Sequence, residues 1–240
     1  MGRYLSCFTY LFKYANWTPT VGLGALMMFI PIVGPIVVNG WLIELQRLRV
    51  EGDEETLPEL SFDRFGELLS LGLQPFLAGL LFIFPMVMLA QFIMAGVIFG
   101  GFLVSAVITT ALVSILGDLG GLVGVLLTVL LAVVVMGLFM GAMWAFGAII
   151  QVAMLRVEHT GQFSAAFDFG ALKDNVSHMA KDMLVGNIII GIGSIPVAML
   201  GYLMCLIGVF PAIFIISAAG AELRSQVYRS YLAQGHPPIT

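Results

Sequence analysis

Apolar tracts alternate along the chain with short polar segments. Residues 3–16, RYLSCFTYLFKYAN, set Tyr4, Leu5, Phe8, Leu11 and Phe12 at helical spacing, with Thr9 and Lys13 on the other side. That pattern predicts an amphipathic interfacial helix over 1–16, or else the first turns of a longer membrane helix. Residues 17–45 are apolar but interrupted by Pro31, Gly34 and Pro35. Proline lacks a backbone donor and clashes with the preceding turn, so this tract reads as a broken helix or a hairpin. Basic flanks on both sides favour the hairpin. Residues 46–66 are strongly polar and read as a cytoplasmic loop, whose acidic knot of Glu51, Asp53, Glu54 and Glu55 is taken as solvated.

The central region 67–154 is too long and too apolar for one crossing. Interruptions at Pro75, Pro85 and Gly100-Gly101 suggest spans near 70–94 and 97–116, followed by a turn at 117–121 and a long helix over 122–154. A second polar loop covers 155–182, with Phe163, Phe167, Leu172 and Val176 on an amphipathic surface helix. Residues 183–221 repeat the hairpin pattern, with Pro196 and Pro211 as breaks, and 222–240 form a tail with an interfacial helix. The fold class is all-α, a polytopic membrane protein forming one domain over 1–240. About six transmembrane helices are expected, within a range of four to eight.

The two loops echo one another. Leu48-Arg49-Val50-Glu51 recurs as Leu155-Arg156-Val157-Glu158. Phe62-Asp63 with Phe65-Gly66 recurs as Phe167-Asp168 with Phe169-Gly170. The order helix, Arg-Val-Glu exit, loop, Phe-Asp return and helix describes a parallel internal repeat, unlike the inverted repeats of many transporters. Both loops should then share a side, which requires an even number of crossings between them. Three spans over 67–154 break that parity. Either one tract, 97–116 first of all, is re-entrant, or the helix over 122–154 is two.

Composition strengthens the membrane reading. The 240 residues are 60% hydrophobic and 10% charged, where soluble domains carry roughly 25% charge. No Lys or Arg lies between Arg64 and Arg156, nor between Lys181 and Arg224. The positive-inside tendency places the loops and both termini in the cytoplasm, in a multi-pass cell-membrane protein. No cleavable signal is evident, so the N-terminus is expected to be retained. Cys7 and Cys205 make no metal or redox spacing and read as buried small hydrophobes.

With loops and hairpins placed, the chain resembles a prokaryotic membrane family known as domain of unknown function 4013. The resemblance runs through Ile30-Pro31-Ile32-Val33-Gly34-Pro35-Ile36-Val37, Gly40, Leu57-Pro58 and Gly72-Leu73. It continues through Gly161-Gln162-Phe163, Ala165-Ala166-Phe167-Asp168-Phe169 and Gly208. The tract 97–121 departs from it, being longer and more apolar. The resemblance implies an architecture and no activity.

Chemistry is sparse. His159 and His178 lack a partner at metal-ligand spacing, His236 lies in a Pro-rich tail, and no hydrolase, metalloprotease or phosphate-loop motif is present. No catalytic residue, cofactor or metal site is expected. Transporters usually keep ionisable groups inside the bilayer. Here Asp118 falls in a turn, and Glu44 reads as a helix-end partner of Arg47. The neutral groups Asn39, Gln74, Gln91, Gln151 and Asn187 read as interhelical hydrogen-bonders. Gly137-x-x-x-Gly141 is the best small-residue packing site, within the chain or between copies. The sequence thus suggests a non-enzymatic scaffold or membrane-organising subunit, with membrane lipids, further copies of itself and another membrane protein as partners, and no nucleic acid. Its rival is a channel or permease for lipids or small solutes, motivated by the broken helices.

Overall fold

The computed structural model describes residues 2–204 and 207–239, the side chains of residues 2, 3 and 5 excepted. Cys205 lies outside the described residues. Every regular element among those described is helical: α1 (Gly2–Thr9), α2 (Trp17–Met28), α3 (Val33–Glu51), α4 (Phe65–Leu116), α5 (Asp118–Thr160), α6 (Phe169–Leu203) and α7 (Val209–Ala233), with 3-10 turns at Leu11–Lys13 and Phe163–Phe167. Three of them, α4, α5 and α6, are long and apolar enough to cross a membrane. The chain divides into two compact units, one of Met1–Gly79 with Gly147–Thr240 and one of Leu80–Phe146.

The first unit holds the core. After α1 the chain turns at Leu11–Lys13, so residues 1–16 are not the start of a longer span. Nor does α1 turn its apolar face to lipid alone. Cys7 and Leu11 are buried, and the Phe8 ring covers Gly193, where an added Cβ would stand 2.6 Å from Phe8 Cε2. The helix is docked on α6 and α7.

The break in 17–45 falls at residues 29–32, with Pro31 in the turn and Ile32 at φ 66°. A β-branched residue there carries strain of about 1–3 kcal/mol. Gly34 is needed for close approach, since a Cβ would stand 1.7 Å from Met27 O. Pro35 and Pro211 do not break helices. Each is the third residue of one, α3 and α7, where the missing amide hydrogen has no intrahelical partner to lose. Pro196 lies inside α6, which continues through it, so its reading as a break is corrected.

Residues 67–116 likewise lie in one helix, Phe65–Leu116, of 52 residues, not two. In hydrocarbon, interrupting a helix strands several backbone groups without water. That cost exceeds the roughly 3 kcal/mol that an internal proline takes from a helix, so Pro75 and Pro85 are absorbed. With this merger two long helices, α4 and α5, separate the polar loops. Those loops are also shorter than expected: α3 runs to Glu51, α5 to Thr160, and α6 begins at Phe169, taking in Leu172 and Val176.

Within the first unit, α3 and α4 touch backbone to backbone. A Cβ on Gly40 would lie 1.9 Å from Leu68 O, and one on Gly72 would lie 2.0 Å from Ile36 O. Trp41 is buried beside Phe214, ring centroids 5.3 Å apart, and donates Nε1–H to Pro58 O at 2.9 Å. Gly24 makes room for Phe214 and Gly186 for Leu223. The second unit comprises parts of α4 and α5 joined at Gly117, whose φ of 62° makes the turn. The two strands of this hairpin meet at Gly120, where a Cβ would stand 2.0 Å from Leu112 O, and through Thr128 Oγ1 donating to Ser105 Oγ at 2.9 Å. Most of its large apolar side chains are exposed, including Phe92, Phe99, Phe102, Leu130 and Leu138.

Candidate functional site

The polar ends of α3, α5 and α7 converge in the first unit, and the exit residues of the repeat, Arg49, Glu51, Arg156 and Glu158, lie at the ends of α3 and α5. Glycines in left-handed conformation close both exits: Gly52 at φ 90° after α3 and Gly161 at φ 67° after α5. Only glycine adopts that conformation without cost, and it satisfies the last carbonyls of a helix. Gly52 N donates to Arg49 O at 3.3 Å and Gly161 N to Val157 O at 2.8 Å.

The exit arginines fold back over the loops that follow them. Arg49 donates to Asp53 O at 2.5 Å and to the Tyr14 hydroxyl, faces the rings of Tyr10 and Tyr14, and pairs with Glu222 at 3.7 Å. Arg156 donates to Ala165 O at 3.0 Å and pairs with Asp168 at 3.5 Å, while Asp168 caps α6 by accepting from Ala171 N at 3.2 Å. The other repeat residues diverge. Asp63, Gly66, Glu51 and Gly170 are exposed. At the first return it is Arg64 that bridges, to Glu44 at 3.0 Å and Glu67 at 2.9 Å, so Glu44 pairs with Arg64 and not with Arg47.

A buried charge network joins the two exits. Arg47 donates to Glu158 O at 3.0 Å. The Glu158 carboxylate, 2% exposed, pairs with Arg224 at 3.3 Å. Gln46 lies between them, donating its amide to Glu158 at 2.9 Å and accepting from Arg224 at 2.9 Å. On the other side of α7, Glu222 lies 3.7 Å from both Arg49 and Arg229, and Arg229 also pairs with Glu54 at 2.5 Å. Glu222 titrates above the usual carboxylate range because burial outweighs its long contacts to the arginines. Glu54 titrates below it because Arg229 hydrogen-bonds and attracts it. The acidic knot is therefore only partly solvated: Glu54 ties the loop to α7, and Asp53 accepts from the amides of Glu55 and Thr56.

The sequence reading placed Glu222, Arg224 and Arg229 in the interfacial tail after the last hairpin and gave them no partners. The available signal was three charged residues spaced along the polar end of an otherwise apolar helix, which need partners when buried. The histidines also converge. The His178 and His236 rings are 4.3 Å apart, His236 stacks on Tyr231 at 4.6 Å, and His159 packs edge-on to Tyr228 at 4.4 Å. Among the described residues no group of three or more His, Cys, Asp or Glu is placed to hold a metal ion.

Gly137 and Gly141 lie on the exposed surface of α5 in the second unit. A Cβ at either would meet no described atom within 4 Å. Gly96 and Gly100 on α4 are open in the same way.

The sequence profile of a family described as protein of unknown function, DUF4013, matches residues 23–219. The chain belongs to the DUF4013 family. No curated protein and no solved structure matches it. The DUF4013 match begins in α2 and ends in α7, so it includes the hairpin breaks, both exit arginines and Glu158, and stops just short of Glu222. Gly40, Pro58 and Gly72, which carried the resemblance in the sequence, surround Trp41 and the α3–α4 contact in this DUF4013 chain.

Proposed function

We propose that this DUF4013 chain is a non-enzymatic membrane protein that acts through helix packing and self-association, as a scaffold or membrane-organising subunit. The observation that carries the proposal is the contrast between its glycines. Gly24, Gly40, Gly72, Gly120, Gly124 and Gly186 each admit a neighbour that a Cβ would strike, whereas Gly96, Gly100, Gly137 and Gly141 face open space. Small residues on lipid-facing helices serve close helix contact, and a second copy supplies the missing helix.

Length points the same way. The roughly 37 residues of α4 that lie in the second unit, 80–116, rise about 55 Å at 1.5 Å per residue, against roughly 30 Å of hydrocarbon. At the upper tilt of about 40° the rise is still roughly 43 Å. Apolar surface beyond the bilayer needs protein to cover it.

The proposed topology has six membrane-embedded helices in three hairpins, α2–α3, α4–α5 and α6–α7, opening to a cytoplasmic side that also holds both termini. The 12 residues of α2 rise about 18 Å, so the α2–α3 hairpin penetrates without crossing fully.

Mass photometry of the purified chain in nanodiscs, with crosslinking in native membranes, tests the proposal. Discrete oligomers support it. A strictly monomeric protein with no crosslinked partner removes it.

The alternative, a channel or permease for lipids or small solutes, draws support from Gln151, which donates to Asn187 at 2.8 Å between α5 and α6 and leaves its Oε1 buried without a partner. Solute release from proteoliposomes that Gln151→Leu abolishes would favour it.

A further inference from the structure

The two exit arginines end in different surroundings. Arg49 is enclosed by Tyr10, Tyr14, the Asp53 carbonyl and Glu222. Arg156 lines a cleft of about 560 Å³ between the end of α5 and the start of α6. The residue is only 5% exposed. Its Nε is engaged by Ala165 O at 3.0 Å, but its Nη2 contact with Asp168 is long, at 3.5 Å. Asp168 lines the same cleft with its side chain 56% exposed, and Thr160, Gln162 and Ser164 add polar groups. The exposed rings of Phe163 and Phe169 flank the loop. The helices on either side, α5 and α6, are both apolar enough to cross a membrane, and the proposed topology, on which this inference rests, puts the cleft at the cytoplasmic lipid surface.

We infer that this cleft binds a zwitterionic phosphate ester bearing a primary ammonium, the headgroup chemistry of an ethanolamine phospholipid. A guanidinium is matched in shape to phosphate oxygens, and a carboxylate accepts the N–H bonds of a primary ammonium. A purely anionic phosphate would meet Asp168 as a repulsive neighbour. A quaternary ammonium has no N–H to give Asp168 and is recognised by aromatic cages. The volume falls within the roughly 300–1,000 Å³ of small-molecule sites. The same chemistry occurs in free glycerophosphoethanolamine, so both sources require testing.

The full chain is placed in nanodiscs of phosphatidylcholine doped with equal phosphatidylethanolamine and phosphatidylglycerol, and native mass spectrometry reads the lipids retained. Retention of phosphatidylethanolamine over the other two by about ten-fold is expected, the size a lost charge-assisted contact produces. Asp168→Asn preserves helix capping, because Asn also caps, and should erase that preference with helicity unchanged. Arg156→Lys, which keeps the charge but loses the planar fork, should weaken it. Glycerophosphoethanolamine added at millimolar concentration distinguishes the sources: displacement of the lipid assigns the site to the headgroup alone, and no displacement assigns it to the whole lipid. Equal retention of the three lipids, a preference for phosphatidylglycerol, or a preference that survives Asp168→Asn overturns the inference.

Discussion

Glu158 and Arg224 meet at 3.3 Å in a setting where the carboxylate is almost wholly removed from water. The pair links the end of α5 to α7, and Gln46 of α3 bridges both partners. Removing one member of a buried pair strands the other, a loss of about 3–5 kcal/mol, while replacing both with apolar groups is often neutral. Glu158→Ala should therefore destabilise strongly, and adding Arg224→Met should recover most of the loss. Thermal unfolding in detergent, run as a double-mutant cycle, checks this; additive losses would mean the pair is not coupled.

Gly40 and Gly72 leave no room for side chains between α3 and α4. Gly40→Leu must separate the helices, and overpacking costs about 1–3 kcal/mol. A lowered melting temperature is expected for Gly40→Leu, and a similar loss for Gly72→Leu. Gly22, where a Cβ meets nothing within 4 Å, provides the control: Gly22→Leu should leave stability unchanged.

Two carboxylates should give opposite pH responses. Glu54 is held below its ordinary range by Arg229, so its contribution is present above its unfolded value and is lost as pH falls through the folded one. Exposure keeps that contribution small. Glu222, outside the embedded part of α7, is raised by burial, so it favours the fold in its protonated form, and stability declines as pH rises from its unfolded value through its folded one. Melting curves across mildly acidic pH should show the decline in the wild type and a flatter profile in Glu222→Gln. An unchanged profile would contradict the assignment.

Cysteine labelling in a Cys7→Ser/Cys205→Ser background reads the topology. Asp53→Cys and Gly170→Cys should react from one side and Asp118→Cys from the other. Ile30→Cys, at the tip of the short α2–α3 hairpin, should resist impermeant reagents from both. Labelling of positions 53 and 170 from opposite faces would dismantle the hairpin topology.

The polar exits at Arg49 and Arg156 were legible in the sequence because charge-free tracts are stable in hydrocarbon and their ends collect charge. The turn around Pro31 and the helical class were legible for equally local reasons. The continuity of α4 through Pro85 and of α6 through Pro196 was not, because proline's cost must be weighed against backbone groups that lipid cannot hydrate. The meeting of Glu158 with Arg224, and of His178 with His236, joins residues distant in sequence, and spacing along the chain carries no record of it. The use of Gly137 was left open between contact within the chain and contact between copies. The open space around it excludes the first among the described residues.

Self-association through the exposed hairpin is tested most directly by bulk at those open positions. Because a Cβ there meets no described atom within 4 Å, Gly137→Leu combined with Gly141→Leu should leave the melting temperature unchanged. Single-molecule photobleaching in nanodiscs should then show oligomers for the wild type and monomers for the double variant. A wild type that bleaches in one step, or a double variant that assembles as the wild type does, would contradict the proposal.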